Sequence, residues 1–481
     1  MPTAEAVEIS QSSTVDSPES TGQLMRKLIL LAAPVLVEQL LHGFAGLADT
    51  YIANNMLTIP AGATAAQIEQ AHQHMTAAGA AVGTVAYLLW FVGLVAAAVG
   101  TGSTAIIARA TGARHRRLAN SICGQSIGVA ALAGLALMAL VLAFNGAIAR
   151  VTHLPPMAME YARQFLAIIA PGLPFIVVLM VANACLRGAG DTVTPAVAMV
   201  IVDLVNIGVA FSLTYGWFGL PALGFRGIAI GAVSSYIIGG LIQLTVLLIG
   251  RGGIRLHLHR LRPHWHNLRR LLRIGLPSGA ESGAMWAVNF VLIQLINGMD
   301  PSAAAGAAHA VTVRIEGFSY LTGFAMAIAA TTMVGQSLGM KDPRRAERSA
   351  LLAFALGGSI MTLFGICYVL FGQWMAGVMS EDPNVVALTT RCLFITGFVQ
   401  AGFAAGIIFG GSLRGAGDTL SVMIINLSSL LCVRLVGVVV LVKVFNAGLA
   451  AVWLLLSVEL MLRGIAMFVR FRHGGWKKVK V

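Results

Sequence analysis

Charged residues are scarce in this chain: Asp, Glu, Lys and Arg together make up 11% of its 481 residues, and only 19 residues are acidic. Hydrophobic residues make up 57%, and the mean hydropathy is +0.83. A soluble globular domain carries about a quarter of its residues as charges. The composition therefore excludes an ordinary soluble domain and predicts an integral membrane protein.

Cysteine is also rare, with five residues in the chain. They stand singly in or beside apolar stretches, and no two have the spacing of a disulfide framework or a zinc motif. We therefore expect no disulfide and no metal site built on these cysteines, and we interpret them as small core residues. They are Cys123, Cys185, Cys367, Cys392 and Cys432.

Twelve apolar stretches are long enough to cross a bilayer, which takes about 20 residues each. Six fall in each half of the chain, and an even number returns the chain to the side on which it started. The predicted spans lie roughly at residues 28–52, 78–106, 119–145, 160–183, 195–216, 227–249, 273–297, 304–334, 349–372, 387–411, 420–441 and 448–469.

The net charge of +13 could indicate a nucleic-acid partner, but its distribution argues otherwise. Arg and Lys concentrate in alternate loops, as at 114–117 and 251–270, whereas the loops between them carry chiefly Arg150 and Lys443. This is the positive-inside pattern. We therefore expect a multi-pass protein of the cell (inner) membrane, with both termini cytoplasmic, embedded in lipid and without a nucleic-acid partner.

One heptapeptide, Leu-Arg-Gly-Ala-Gly-Asp-Thr, occurs twice, at Leu186–Thr192 and at Leu413–Thr419, 227 positions apart. Gly112 and Gly339 open a second pair of similar segments at the same offset, whereas Pro34 and Pro277 are 243 apart. The first half thus carries about 16 extra residues, within the outer loop 54–77. The repeat predicts an all-α membrane protein of two six-helix lobes, related by a pseudo-two-fold axis along the membrane normal.

These landmarks divide the chain into five predicted regions. Residues 1–22 are rich in Ser, Thr and Glu and lack an apolar core, which predicts a disordered tail and not a signal peptide. Four histidines near residue 260 leave a metal site open, but a solvated basic linker is the preferred interpretation. The regions are a cytoplasmic tail (1–23), an N-lobe (24–250), a basic linker (251–270), a C-lobe (271–470) and a basic tail (471–481).

The repeated heptapeptide is predicted to form a turn between two spans. Its glycines, which include Gly188 and Gly415, permit a tight turn, and its aspartates, Asp191 and Asp418, can cap the next helix. Arg187 and Arg414 can satisfy free carbonyls of the preceding helix. A phosphate-binding loop would need a flanking strand and a Walker lysine, and neither is present.

Several segments resemble transporters of the multidrug and toxic compound extrusion (MATE) family. The resemblance covers nearly the whole chain from about residue 24. It implies a twelve-helix, two-lobe exporter with a central cavity that exchanges cations for amphipathic, often cationic, drugs. The segments are Pro34 with Asp49 and Thr50, the heptapeptide with Pro195 and Asn206, Pro221–Ala232, Ala307–Gly339, and Asn446–Trp453 with Trp476.

Glu38, His42 and Asp49 lie in the first predicted span at offsets 0, 4 and 11. At about 100° per residue all three fall within about 40° of one helix face. Such a stripe is typical of a proton relay, because charges at membrane depth are costly and are kept for a use. The alternative is that Glu38 and His42 hydrogen-bond neighbouring helices as structural contacts.

In the fifth span, Asn206 occupies the family's asparagine position, and many members have an aspartate four residues later, where this chain has Ala210. Asp203, one turn earlier on nearly the same face, is our candidate replacement, with an interhelical pair as the alternative. A threonine common in the sixth span is also absent, with Ala232 at that site. Since Na⁺ prefers several fixed oxygens, these losses favour H⁺ as the coupling ion over Na⁺.

The second lobe departs from the family as well. One branch has acids in spans 7 and 10, where this chain has Met285 and Phe403. Glu281 instead mirrors Glu38, each four residues after a proline. His309, Thr312, Glu316 and Tyr320 share one face of the eighth span, and together with Glu281 and His42 they are candidates for a cavity that binds a lipophilic cation. A brace between helices is the alternative.

The sequence therefore predicts a monomeric antiporter for a small molecule, with cation-coupling residues Glu38, Asp49, Asp203 and Asn206 and no cofactor other than H⁺ or Na⁺. A flippase for lipid-linked precursors is the alternative, and it would need a basic cavity to hold pyrophosphate. We expect no enzyme, because no nucleophile or metal constellation is present.

Overall fold

The computed structural model describes residues 19–57, 64–151, 154–261, 264–299 and 304–479, and every regular element in these ranges is a helix. Eleven helices are long and apolar enough to cross a membrane, and one bent pair completes twelve. They are α1 (Thr21–Asn54), α2 (Ala65–Gly112), α3 (Arg116–Val151), α4 (Pro156–Ala189), α5 (Val193–Tyr215), α6 (Phe225–Ile249), α7 (Trp265–Asn297), α8 (Ala304–Gly339), α9 (Pro343–Met379), α10 (Pro383–Gly397 and Gln400–Gly415), α11 (Thr419–Lys443) and α12 (Leu449–His473).

The helices alternate in direction, so the bundle has two ends. The linker end carries both heptapeptides, the 250–264 connection and the start of α1; the distal end carries the opposite set of turns, such as 216–225. Within each half, consecutive helices pack on one another, as α5 does on α6 and α8 does on α9. The twelve-helix, two-lobe fold class predicted from the sequence is confirmed.

The first helix begins where its sequence provides a cap. The Ser20 side chain accepts from the Gln23 backbone N–H while the Gln23 side chain accepts from the Ser20 N–H, a reciprocal capping box. Helix α1 therefore starts at Thr21 and takes in the last residues of the predicted tail 1–23. Pro34 in α1 and Pro277 in α7 both lie inside a helix, where each removes one backbone hydrogen bond.

The lobes meet at the linker end through α2, which packs on α7 and α8, and through α1, which packs on α8. This approach requires glycine. A Cβ on Gly275 would lie 1.7 Å from the Ala98 carbonyl oxygen, and one on Gly112 would lie 1.9 Å from that of Gln336. Any larger residue would force the lobes apart at this end.

At the distal end the described parts of the lobes are not packed against each other in this way. In the described residues, the hydrophobic clusters that bridge the lobes draw on the linker half: Leu24 and Leu28 of α1 pack with Met333 of α8, and Leu271 of α7 joins the N-lobe cluster. The distal cluster around Trp453 is built from C-lobe residues alone. The lobes are therefore closed against each other at the linker end and separate towards the distal end.

Two helices are interrupted at equivalent places. Helix α4 contains a 3₁₀ turn at Ala170–Gly172, and α10 bends by 61° between Gly397 and Gln400. Ala170 and Gly397 are 227 positions apart, so the repeat extends to the break itself. Helix α11 alone contains a π-helical segment, Ser429–Leu435, whereas its counterpart α5 is α-helical throughout.

The linker and the C-terminal segment are more ordered than the sequence suggested. Ile254 and Leu256 of the linker are buried against the N-lobe, and residues from Trp265 onwards already belong to α7. Trp476 is fully buried and its indole N–H donates to the Phe471 carbonyl. Basic side chains therefore lie on segments that pack against the bundle.

The outer insertion extends a span and does not form a helix of its own. Thr64 and Gln67 make a reciprocal capping box, and the helix they start continues without interruption as α2 to Gly112. Near its tip, His74 Nδ1 lies 2.8 Å from the Tyr161 hydroxyl of α4. Residues 58–63 of the insertion lie outside the described residues.

Candidate functional site

Polar residues of α1 each meet a partner on the other N-lobe helices. Nearest the linker end, Arg187 of α4 donates through Nη2 to both Glu38 carboxylate oxygens, at 2.5 and 2.6 Å. Both side chains are buried, with 7% of Glu38 and 16% of Arg187 exposed. Glu38 is therefore neutralised by a cation, and the predicted carbonyl contact of Arg187 is replaced by an ion pair.

One turn further along α1, His42 Nδ1 lies 3.1 Å from Oδ1 of Asp203 on α5. The carboxylate is buried, whereas 53% of the His42 side chain is exposed. His42 also interacts electrostatically with Glu38 and Asp49, so it is surrounded by charged protein groups and yet accessible. His42 is therefore the member of this group whose ring is accessible for proton exchange.

Towards the distal end, the Asn206 amide of α5 donates to both oxygens of Asp49, at 3.1 Å each. Tyr236 of α6 interacts electrostatically with both Asp49 and Asp203. Asp49 is half-buried and Asn206 is buried. In the part of the chain that the structure describes, Asp49 has a neutral donor but no cation at ion-pair distance, so this carboxylate is suited to bind a proton or a small cation.

The four predicted coupling residues therefore fall into two groups. Asp49, Asp203 and Asn206 lie together with His42 on the facing sides of α1 and α5. Glu38 is held apart from them by its bond to Arg187. Ala210, the position of the acid in many family members, is fully buried and packs against Gly231 of α6. Asp203 is thus the acid of α5 that meets the α1 stripe.

In the C-lobe, Glu281 of α7 repeats the arrangement of Glu38. Arg414 Nη2 lies 2.5 Å from its Oε1, and the Asn426 amide of α11 donates to the same oxygen at 2.5 Å. The Glu281 side chain is 5% exposed. Glu281 is thus buried and neutralised, and in this conformation it does not line an open cavity.

A second buried ion network lies beside it, and the sequence analysis missed it. Arg434, on the π-helical segment of α11, donates to Glu459 of α12 at 2.6 Å, and Arg463 lies 3.6 Å from the same carboxylate. Glu459 is fully buried. Each of these charges interrupts an apolar span, which is the signal that could have identified them. Both arginines contact this one carboxylate, so neither is free to bind an anion from outside the network.

The predicted face of α8 points mostly into the C-lobe. Thr312 is fully buried and donates to the Ala308 carbonyl. Glu316, 8% exposed, accepts from the Thr396 hydroxyl at 2.6 Å and from the Gln400 amide at 3.4 Å. His309 contacts the Trp453 ring, and Tyr320 contacts Phe324. Among the predicted cavity residues, only His42 is largely exposed.

The heptapeptide turns are alike in backbone but not in capping. Asp191 accepts from the Thr194 N–H at 2.9 Å, as predicted. Asp418 stands at the N-cap of α11 without a backbone bond, and it accepts instead from Ser421 and from Arg470. Gly188 packs on the Thr104 backbone and Gly415 on the Thr331 carbonyl, so both permit close helix contacts.

Metal-ligating side chains do not cluster in the part of the chain that the structure describes: it contains no group of three His, Cys, Asp or Glu that could hold a metal ion. The linker histidines illustrate this, since His257 and His259 contact each other edge to face at 5.6 Å without a third ligand. The N-lobe group of two carboxylates, one amide and one imidazole is therefore the candidate site, and its side chains are of the types that bind a proton or a small cation.

Comparisons with known proteins agree with this geometry. The MatE family model matches residues 75–212 and 277–440, well over half of the chain. The probable multidrug resistance protein NorM of Thermotoga maritima is 28% identical over 465 residues, which cover 96% of this chain and 95% of NorM. The multidrug resistance protein MdtK of Yersinia pseudotuberculosis is 25% identical over 410 residues, which cover 84% of each chain.

Solved structures share the fold. The Vibrio cholerae MATE transporter VcmN in its bent form superposes with a TM-score of 0.82 at 16% identity. The alignment covers 94% of this chain and 97% of that one. At this identity the match bears on the fold alone.

Proposed function

The chain belongs to the MatE family of membrane transporters, and from this premise we propose that it is a secondary active antiporter. It exports amphipathic drugs or metabolites, with cations favoured, in exchange for H⁺. The two six-helix lobes provide alternating access to a site between them. The relatives NorM and MdtK are named as multidrug resistance proteins, which supports a drug-like substrate.

The observation that carries the proposal is the contact between α1 and α5. Asp49 has a neutral donor, Asn206, while Asp203 is paired with the accessible imidazole of His42. A proton that reaches this group can neutralise one carboxylate and so weaken the charge-assisted bonds between the two helices. The coupling reaction then requires only one titratable carboxylate and no bound cofactor.

Sodium is the alternative ion, and the residues around the group make it the less favoured one. Na⁺ needs several fixed oxygen ligands. Two positions that supply oxygens in many relatives are apolar here, since Ala210 is fully buried and Ala232 is 6% exposed. The remaining oxygens belong to Asp49, Asn206 and Asp203.

Loss of the α1–α5 bonds changes which state of the transporter is favoured. The distal half of α1 is held to the N-lobe by the His42 and Asp49 contacts, while its linker half packs on α8 of the other lobe. Release of the distal half therefore allows that half of α1 to move relative to the N-lobe, while the Glu38–Arg187 pair and the contact with α8 hold its linker half in place. A ligand shifts such an equilibrium only through its differential affinity for the two states, so substrate and proton must favour different positions of α1.

We further propose that the protein lies in the inner membrane of the cell with its linker end facing the cytoplasm. We also propose that it acts as a monomer in the lipid bilayer. The basic residues of the linker end, such as Arg114, Arg251 and Arg255, support this orientation. The lobes are closed at that end, so the described conformation is open to the outside.

The test is efflux of a fluorescent cationic dye from liposomes that contain the purified protein. A proton gradient and a sodium gradient are imposed separately, and Asp49→Asn is compared with Glu381→Gln, an exposed acid at the distal surface. We expect proton-driven efflux that Asp49→Asn abolishes and that the control variant retains.

Sodium-driven efflux alone would mean that other oxygens complete a sodium site. Absence of efflux with either gradient would favour a flippase for lipid-linked precursors. A short-chain fluorescent polyprenyl pyrophosphate, assayed for movement across the same liposome membrane, distinguishes that case.

A further inference from the structure

The bend of α10 carries a buried polar triad whose function the α1–α5 contacts leave unassigned. Glu316 of α8 is 8% exposed. Its Oε1 accepts from Thr396, in the last turn before the bend, and from Gln400, the first residue after it. One carboxylate therefore bridges both sides of a break in a neighbouring helix.

The corresponding triad of the N-lobe is apolar. At the 227-residue offset, Glu316, Thr396 and Gln400 correspond to Leu89, Ile169 and Leu173. These three aliphatic side chains all belong to the N-lobe hydrophobic cluster, beside the equivalent break in α4. Helix α4 is thus interrupted although all three of these side chains are aliphatic. The equivalent break in α10 therefore does not by itself explain why the C-lobe has a carboxylate at Glu316.

Glu316 has no cation of its own. The charged and titratable groups around it are Tyr320 of α8, Tyr368 of α9 and Arg434 of α11. Arg434 is committed to Glu459 at 2.6 Å, and the Tyr368 hydroxyl donates to the Ile315 carbonyl. The direct partners of the carboxylate are a hydroxyl and an amide, both neutral donors.

We propose that Glu316 is a second proton-binding site, and that its ionisation sets the angle of the bend in α10. Ionised Glu316 holds both sides of the break through charge-assisted hydrogen bonds to Oε1. A proton on Oε2 removes the negative charge and weakens both bonds, because hydrogen bonds to a charged acceptor are about twice as strong as neutral ones. The two halves of α10 are then free to change their angle.

This inference rests on the proposed function, because a proton-binding site has a role in the transport cycle only if transport is coupled to H⁺. The experiment that tests proton binding at Glu316 does not require transport. Spin labels are placed at Ala387, exposed on the first half of α10, and at Leu420, exposed at the start of α11 directly after its second half, in a Cys367→Ser/Cys432→Ser background. The remaining cysteines are buried. The distance distribution is measured in detergent between about pH 5 and pH 9 and is compared among variants.

We expect the wild-type distance to shift with pH and Glu316→Gln to stay at the acidic value at every pH. The triple variant Glu316→Leu/Thr396→Ile/Gln400→Leu reproduces the aliphatic N-lobe set, and we expect it to fold and lose the pH response. The Asp49→Asn variant should retain the pH response. Difference infrared spectra should lose one protonated-carboxyl band in Glu316→Gln.

Two results would overturn the proposal: a distance that does not change with pH in wild type, or a pH response and a carboxyl band that survive in Glu316→Gln. Failure of the dye-efflux experiment with an intact pH response would count against H⁺-driven export and not against proton binding at Glu316.

Discussion

Glu38 and Arg187 form a buried ion pair at 2.5 Å, and Glu281 and Arg414 form its counterpart in the other lobe at the same distance. Each glutamate lies four residues after a proline inside its helix, and each arginine is the second residue of the repeated heptapeptide. The pairs thus fasten the first helix of each lobe to its fourth. Their symmetry indicates a role in holding each lobe rigid while the lobes move relative to each other.

Removal of one partner from either pair should destabilise the protein. Glu38→Gln leaves Arg187 buried without its anion, and breaking a buried pair in this way costs about 3 to 5 kcal/mol. The double variant Glu38→Gln/Arg187→Gln should lose less than the two single variants added together. Thermal unfolding in detergent measures this, with the exposed Glu381→Gln as control. Additive losses would contradict a direct pair.

Movement of the α5 acid to the position that many relatives use should not restore function. Ala210 is fully buried, and a Cβ on Gly231 would already lie 2.8 Å from its methyl group. An aspartate there has no room to meet Asp49. We therefore expect Asp203→Asn/Ala210→Asp to show no proton-driven dye efflux and a reduced yield of folded protein, whereas Asp203→Glu keeps part of the activity. Recovered efflux in the double variant would show that the depth of the acid is not critical.

A methyl group at the lobe contact should open the linker end. Gly275→Ala places its Cβ 1.7 Å from the Ala98 carbonyl oxygen, so the lobes must separate there. We expect a lower melting temperature and faster maleimide labelling of Leu24→Cys, which is 2% exposed between the lobes. Labelling is measured in the Cys367→Ser/Cys432→Ser background. Gly46→Ala is the matched control, because nothing lies within 4 Å of its added Cβ. Equal labelling in both variants would rule out this contact as the closure.

The buried tryptophan after α12 should contribute strongly to stability. Trp476 is fully enclosed and stacks on Phe471 at 5.1 Å. Trp476→Ala should therefore cost about 3 to 5 kcal/mol of folding free energy. Trp265→Ala removes the same side chain from a site where it is 73% exposed, and it should change the melting temperature little. A small effect of Trp476→Ala would mean that the segment after α12 does not pack stably on the bundle.

The architecture was predictable because apolar length and sequence repetition are both visible without a structure. Twelve spans and two halves follow from them, and the first helix stripe of Glu38, His42 and Asp49 does meet the fifth span. The pairing of Glu38 with Arg187 was not predictable. The two residues are 149 positions apart, and nothing in either motif specifies the other.

Other features depend on packing that a one-dimensional pattern does not record. Helical periodicity places Thr312, Glu316 and Tyr320 on one face of α8, but periodicity cannot tell a face towards the cleft from one towards the lobe interior. Arg434 and Glu459 were missed, although each interrupts an apolar span. The π-helical segment that carries Arg434 leaves no mark in hydrophobic periodicity, because it adds only one residue to a turn.

Helix α2 runs without interruption for 48 residues, which corresponds to about 70 Å at 1.5 Å per residue. Its linker half is pressed against the other lobe, and its tip stands beside Tyr161 at the opposite end of the bundle. Because α2 packs within the N-lobe along most of its length, it moves with that lobe as an arm whose pivot is the contact between the lobes. A rotation of only about 10° at the lobe contact would carry a tip about 60 Å away through about 10 Å. The insertion that lengthens α2 thus converts a small rearrangement among glycines into a large displacement at the distal end of the bundle.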